Sequence, residues 1–350
     1  MKRNSAISKE IHNLLQKTVI PPGFFELWLN NHPGLMAAQL KPLNTYLEDK
    51  APKKLYRLRS FSKNSVKALE EGKLFFSRAD KFNDPYDCLL RVDSNKLREK
   101  VFKQISDSQF KGYLQSIGLK FPVNDSIKSL DDIVALSGMY RDKFLDDVTA
   151  TFPNIIDLLQ KGTYITCLSE TVTSPIMWSH YSDNHKGFAI EYNFEPSFFC
   201  PAPHLPGDNK FNGYGWRSLL PVHYSKLRAD AIDLVDWYAL CEMQEKCGCN
   251  LDATYYIPDM LLKTKLCLEK HEAWAYEKEW RIILTFEWPN KFCDYNIHLK
   301  YDATAIYLGT RMAKNERQKL ITIAKKINIP VYEMYIDHSS GEYEMQYRPL

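Results

Sequence analysis

Residues 177–192, read as M-W-S-H-Y-S-D-N-H-K-G-F-A-I-E-Y, constrain the fold more than any other stretch, because they commit the chain to a helix that turns directly into a strand. Ser174 suits an N-cap and Pro175 the first helical position, so the spacing predicts a short helix carrying Trp178, His180 and Tyr181, stopped by Gly187. From Phe188 the apolar residues alternate with Ala189, Glu191 and Asn193. That is the period of a half-buried strand, with Glu191 on the face opposite Phe188, Ile190 and Tyr192. Two histidines, two tyrosines, a tryptophan and a carboxylate crowd one turn, as a packed polar network or a binding site would require.

The flanking chain supplies partners for that strand. Residues 55–59 read as an opening strand, with Leu55, Arg57 and Arg59 on one face and Tyr56 and Leu58 on the other. Ser62 or Asn64 can cap a helix ending at Gly72, and Leu74, Phe75 and Phe76 form a second strand. F-N-D-P-Y-D-C at 82–88 is turn chemistry, in which Asn83 and Asp84 offer side-chain acceptors. Further strands are expected at 164–168, ending in Ser169, and at 219–224, after a Gly- and Pro-rich loop at 201–215. In H-E-A-W-A-Y-E-K-E-W-R-I-I-L, at 271–284, alternation puts Glu277, Glu279, Arg281 and Ile283 on one face. Strands near 295–300, 304–308 and 330–335 follow, with a helix at 314–326. Segments at about 95–160 and 227–270 read as helical insertions. Residues 1–50 read as an N-terminal helical appendage, able to cap the domain or bind a partner, ahead of a core domain at 51–350. The expected class is α+β with a mixed, mostly antiparallel β core.

The chain's 350 residues, 45% hydrophobic, suffice for a sizeable core. A formal charge of +3, from 46 basic and 43 acidic residues, is too balanced to announce nucleic acid or an anionic membrane as the main partner. No apolar run is long enough to span a bilayer, and a cytoplasmic protein with no membrane partner is expected. The eight cysteines are scattered, as reduced thiols would be. Cys241, Cys247 and Cys249 lack the C-x2-C spacing of a zinc knuckle, and no metal is expected.

Each chemically active residue has a plain structural role beside the functional one. His180 and His185 point about 140° apart on a continuous helix, which argues against shared metal ligation and leaves His180 as a substrate contact or general base. Asn83, Asp84 and Asp87 can join Glu191 around magnesium, as in a metal-dependent phosphodiesterase or nuclease, or simply satisfy a turn. Glu279 can pair with Arg281, and Arg57 or Arg59 with Glu191 or the Asp84 loop. Trp178, Trp274 and Trp280 suit core packing or a cleft lid.

The ordered motifs L-Y-R-L-R-S, F-N-D-P-Y-D-C, C-L-S-E, W-S-H-Y-S-D-N-H-K-G-F-A-I-E-Y and W-A-Y-E-K-E-W-R resemble those of an uncharacterised bacterial protein family, over about 55–309. More weakly, the chain is similar to ADP-ribosyltransferases of the arginine, serine, glutamate type. The order Arg57 or Arg59, Ser169, Glu277-x-Glu279 is reproduced, although Cys167-Leu168-Ser169 stands where that superfamily has Ser-Thr-Ser. This resemblance implies NAD as substrate. Arg57 or Arg59 would hold its pyrophosphate, Ser169 would brace Glu279, and Glu279 with Glu277 would stabilise the cationic ribose and orient the acceptor, a protein or a nucleic acid. Tyr181 would contact nicotinamide, with Asn83, Asp84 and Glu191 lining the cleft and His180 assisting. It also implies a toxin or defence effector. A non-catalytic nucleotide- or phosphate-binding sensor or interaction module uses the same arginines without Glu279.

Overall fold

The computed structural model describes residues 2–18, 33–97, 152–194, 200–202, 215–217, 219–235, 259, 261–285 and 297–350, with single helical positions at 99, 146 and 150. Most of the expected insertion at 95–160, the stretch 236–258 with Cys241, Cys247 and Cys249, the loop at 203–214 and residues 19–32 of the expected N-terminal appendage lie outside the described residues.

The chain begins with α1 (Lys2–Lys17) and α2 (Pro33–Lys50), then β1 (Lys54–Arg59), α3 (Lys63–Glu70), β2 (Lys73–Phe75) and β3 (Ser77–Arg78). Next come α4 (Phe152–Lys161), β4 (Thr163–Ser169), α5 (Pro175–Tyr181), β5 (Phe188–Asn193), β6 (Cys200–Ala202), β7 (Gly215–Arg217), β8 (Leu219–Pro221) and β9 (His223–Ser225). The series closes with α6 (Leu262–Leu266), β10 (Glu269–His271), β11 (Glu279–Thr285), β12 (His298–Lys300), β13 (Ala305–Leu308), α7 (Lys314–Lys326), β14 (Val331–Tyr335) and β15 (Gln346–Pro349).

Local chemistry explains several of these boundaries. Ser62 caps α3 in a reciprocal box, its hydroxyl accepting from the Ser65 amide (3.1 Å) while the Ser65 hydroxyl accepts from the Ser62 amide (2.9 Å). Lys325 and Lys326 end α7 where the helix dipole favours cations, and Leu320, Ile323 and Ala324 form its buried face.

Nine strands make one mixed, mostly antiparallel sheet in the order β15-β14-β13-β5-β1-β4-β11-β8, with β3 also on β4. The β13–β14 pair is parallel. Leu55, Ile190, Ile306 and Ile283 belong to the main core, while Leu58, Trp178, Ala189 and Tyr307 form a second cluster around α5. Ile11 and Leu15 of α1, with Leu43 and Leu47 of α2, are buried in that main core, so these N-terminal helices share it. Among the described residues, no helix is long and apolar enough to cross a membrane.

Four local expectations are corrected. The helix bearing His180 ends at Tyr181, well before Gly187. Asp183, Asn184 and His185 then take left-handed φ values of 49°, 54° and 68°, a conformation that short polar residues tolerate best. Gly187 instead permits close approach, since a Cβ there would collide with the Arg59 carbonyl oxygen. The strand expected at 219–224 divides at Val222 into β8, in the main sheet, and β9, which pairs in parallel with β10. The strand from Leu74 pairs with β12 in a separate small sheet. Glu277 lies at the end of a 3-10 turn (Glu272–Glu277), and Lys278, at φ 45°, swings the chain into β11.

Candidate functional site

The sheet is discontinuous at its centre. β1 runs alongside β5 for its whole length but meets β4 only at Tyr56 and Ser169, and β3 takes the other end of the β4 edge. A cavity of about 370 Å³ opens here, lined by β1 and β4 and by the loop carrying Phe82, Asn83 and Asp87. Arg57, Arg59, Asn83, Ser169, His180, Tyr181, Glu277 and Glu279 all line it. Ser169 is the register link, opposite Tyr56 on one side and Glu279 on the other. The Ser169 hydroxyl donates to the Glu277 carbonyl at 2.6 Å, fixing the turn that presents both glutamates.

One part of the cavity wall is an ion network. Arg281 is fully buried and donates to Asp87 (2.6 and 2.8 Å), to Glu279 (2.8 and 3.0 Å) and to the Cys267 carbonyl (2.7 Å). Lys270 reaches Glu277 at 2.5 Å, Glu279 at 3.0 Å and Asp87 at 3.4 Å. Tyr181 donates to Glu277 at 2.5 Å. Three carboxylates thus share two cations. Burial and the neighbouring Glu279 push Glu277 up to about 7, against the pull of Lys270 and Tyr181. Burial also opposes charge on Glu279, but Arg281 and Lys270 outweigh it and hold that carboxyl below the usual range. Burial beside Glu277 raises the Tyr181 phenol, and burial with Glu279 raises the Cys167 thiol.

Arg57 and Arg59, also on the wall, have no carboxylate partner among the described residues. Arg57 donates to the Phe75 carbonyl at 2.7 Å, and burial with neighbouring Arg59 lowers it to about 10. Burial lowers Arg59 as well. The ion pair expected between these arginines and Glu191 or the Asp84 loop is therefore not formed, whereas the Glu279–Arg281 pair is.

Two expected residues lie elsewhere. Glu191 sits on the opposite face of β5 from Ile190, where it accepts from Tyr307 (2.7 Å) and Thr304 (3.0 Å) and meets Lys54 at 3.1 Å. Strand alternation turns its side chain away even though its backbone adjoins β1. Asp84 accepts from the Tyr86 amide (2.9 Å) and lines a second cavity of about 360 Å³ with Tyr86, Arg228 and Trp274. The proposed magnesium set of Asn83, Asp84, Asp87 and Glu191 is thus not assembled. His180 and His185 also part, His180 Nδ1 bonding Tyr276 (2.9 Å) and His185 Nε2 bonding Ser179 (3.0 Å). Trp178 and Trp280 are core residues, and Trp274 stands beneath Lys270 with the ammonium 5.0 Å from its ring.

Lys270 is the main omission from the sequence reading. It lines both cavities, on a strand inside a stretch that reads as helical. A lysine in K-H-E-A-W-A-Y-E-K-E carries no spacing signal for this, and only the parallel β9–β10 pairing places it.

The sequence profile of a family described as a protein of unknown function, DUF2971, matches residues 177–282. The match contains most of α5, all of β5, and Lys270, Glu277, Glu279 and Arg281, but not the two cavity arginines. No curated protein and no solved structure matches the chain.

Proposed function

We propose that the chain binds NAD in the β1–β4 cavity and cleaves its nicotinamide–ribose bond, as an ADP-ribosyltransferase or a glycohydrolase. The observation that carries this reading is one cavity holding two arginines without carboxylate partners among the described residues, together with a carboxylate group crowded enough to contest a proton. Such a cavity complements a substrate with a pyrophosphate at one end and a pyridinium-bearing ribose at the other. The three strands bearing Arg57 and Arg59, Ser169 and Glu279 are adjacent in the sheet, in keeping with the resemblance.

In this reading Arg57 and Arg59 bind the pyrophosphate, and Tyr181 with His180 contacts nicotinamide. The bond between ribose C1′ and the pyridinium nitrogen breaks, its electron pair passing to that nitrogen, so nicotinamide leaves neutral. An acceptor hydroxyl, amine or water forms the new bond at C1′ and gives its proton to Glu277, the carboxylate poised near neutrality. Glu279, neutralised by Arg281 and Lys270, positions Lys270 and through it Glu277.

The test is nicotinamide release from NAD by the purified full chain. Glu277→Gln is expected to lower it by about 10²–10⁴-fold with NAD binding retained. Arg57→Gln together with Arg59→Gln is expected to abolish binding. A second reading, a sensor that binds NAD without turnover, is favoured by the ion partner that every carboxylate of the network already has. Binding without release, unaltered in Glu277→Gln, would select it.

A further inference from the structure

One cluster outside the cavity has no part in this chemistry. His12 on α1, His223 on β9 and Glu269 on β10 converge where the N-terminal helix crosses the parallel β9–β10 pair, with one potential ligand atom from each lying within 4.8 Å of the others. Glu269 and His223 are direct register partners, so the strand pairing holds two of the donors side by side. The third comes from the far end of the chain, delivered by a built contact. Ile11 and Leu15 are buried on either side of it in sequence, and Ser8 donates to the Val222 carbonyl at 2.9 Å, next to His223.

We propose that His12, His223 and Glu269 form a divalent metal site, with zinc the best-suited ion and the fourth position open to water. Two imidazoles and one carboxylate are a sufficient protein ligand set for zinc. His12 Nε2 lies 3.5 Å from Glu269 Oε1, and His223 Nδ1 lies 2.9 Å from Glu269 Oε2. Those contacts run to the two different carboxylate oxygens, and with one donor atom from each residue the set lies within 4.8 Å, so it must draw in to the roughly 3.3 Å that separates donors around a tetrahedral ion with bonds of about 2.0–2.1 Å. The imidazoles are stacked 4.1 Å apart at 15°, and binding needs them to swing out of the stack so that their lone pairs converge. All three side chains are half-buried, which leaves an entry path.

The consequence is a clasp. The ion fastens α1 to the strand whose next residue is Lys270, the lysine that holds Glu277 and Glu279. The inference is independent of the dinucleotide reading, since its test does not use turnover.

The experiment measures zinc stoichiometry and affinity on the full chain, the effect of zinc on melting temperature, and the spectrum of the cobalt-substituted protein. Wild type is expected to hold one zinc per chain, to melt higher with it, and to give a cobalt spectrum without a thiolate charge-transfer band. His12→Ala and Glu269→Gln are each expected to weaken binding by roughly 100-fold and to lose the thermal shift. Glu269→Gln keeps the size and a hydrogen bond, so it carries the test if His12→Ala does not fold. No zinc on wild type, a thiolate band pointing to the cysteines, or undiminished affinity in the variants would overturn the assignment.

Discussion

Glu191 and Glu277 are both buried glutamates bonded to a tyrosine hydroxyl and reached by a lysine, yet they sit in different company. Glu191 takes hydroxyls from Tyr307 and Thr304, and its lysine, Lys54, is 57% exposed. Glu277 shares a 5% exposed Lys270 with Glu279 and Asp87 and faces a cavity. A lone carboxylate satisfied by two hydroxyls and one mostly solvated ammonium is held for packing. Three carboxylates around two cations leave one proton contested, and a contested proton beside a cavity is what acid–base chemistry needs.

The sharpest way to break the contrast is to unbalance the second cluster. Arg281→Met leaves Asp87 and Glu279 without their buried guanidinium, and a loss of about 3–5 kcal/mol is expected in chemical denaturation. Glu191→Gln leaves the Lys54 contact without its charge and the Tyr307 and Thr304 hydroxyls with a weaker acceptor. It should cost about 1–3 kcal/mol and leave NAD affinity unchanged, because the residue lies outside the cavity. A lost affinity there would erase the distinction.

A pH series separates the clusters further. Glu277 has a folded pKa raised from 4.5 to about 7. Its contribution to stability is therefore fully present below pH 4.5 and is lost as pH rises through 7. Glu277→Gln lacks that loss, so its stability relative to wild type should improve between pH 5 and pH 8 in urea denaturation. A constant difference would mean that Glu277 does not hold the contested proton. The smallest effect is expected from Lys54→Ala, about 0–1 kcal/mol, since the ammonium is mostly solvated.

Much of the scaffold was legible because its signals are local. The 314–326 helix, the Ser62 cap, the Ser174–Pro175 helix start and the facing of alternate residues in 188–193 each depend on neighbouring residues alone. That last strand, however, is buried on both faces and not half-buried as its period suggests, because the two core clusters cover its two sides. The site was legible only in part. Arg57, Arg59, Ser169, Glu277 and Glu279 do meet because each lies at a strand or turn whose partners the sheet order decides, and α5, which packs against β1, brings His180 and Tyr181 to them. Glu191 was grouped with His180 by nearness in sequence, and the two-residue period of its strand carries it to the other face. Lys270 was missed for the opposite reason, since its place depends on strands 45 or so residues apart pairing in parallel. The early end of the helix at Tyr181 follows from three left-handed residues that composition alone does not announce.

The single rung between Tyr56 and Ser169 bears also on how the molecule comes into being. Its flanking strands are recruited from residues 54–59, 163–169, 188–193 and 279–285, so each of the central pairings, β1 with β5, β1 with β4 and β4 with β11, closes a long loop of chain. Such pairings form slowly, because loop entropy is lost before contacts reward it. A chain still emerging from the ribosome, halted before residue 279, already holds Arg57, Arg59 and Ser169 but lacks Glu279 and the strand that carries it. The two glutamates of the acidic wall are thus synthesised well after the arginines and Asp87, and any activity housed there is silent until the chain has passed residue 279.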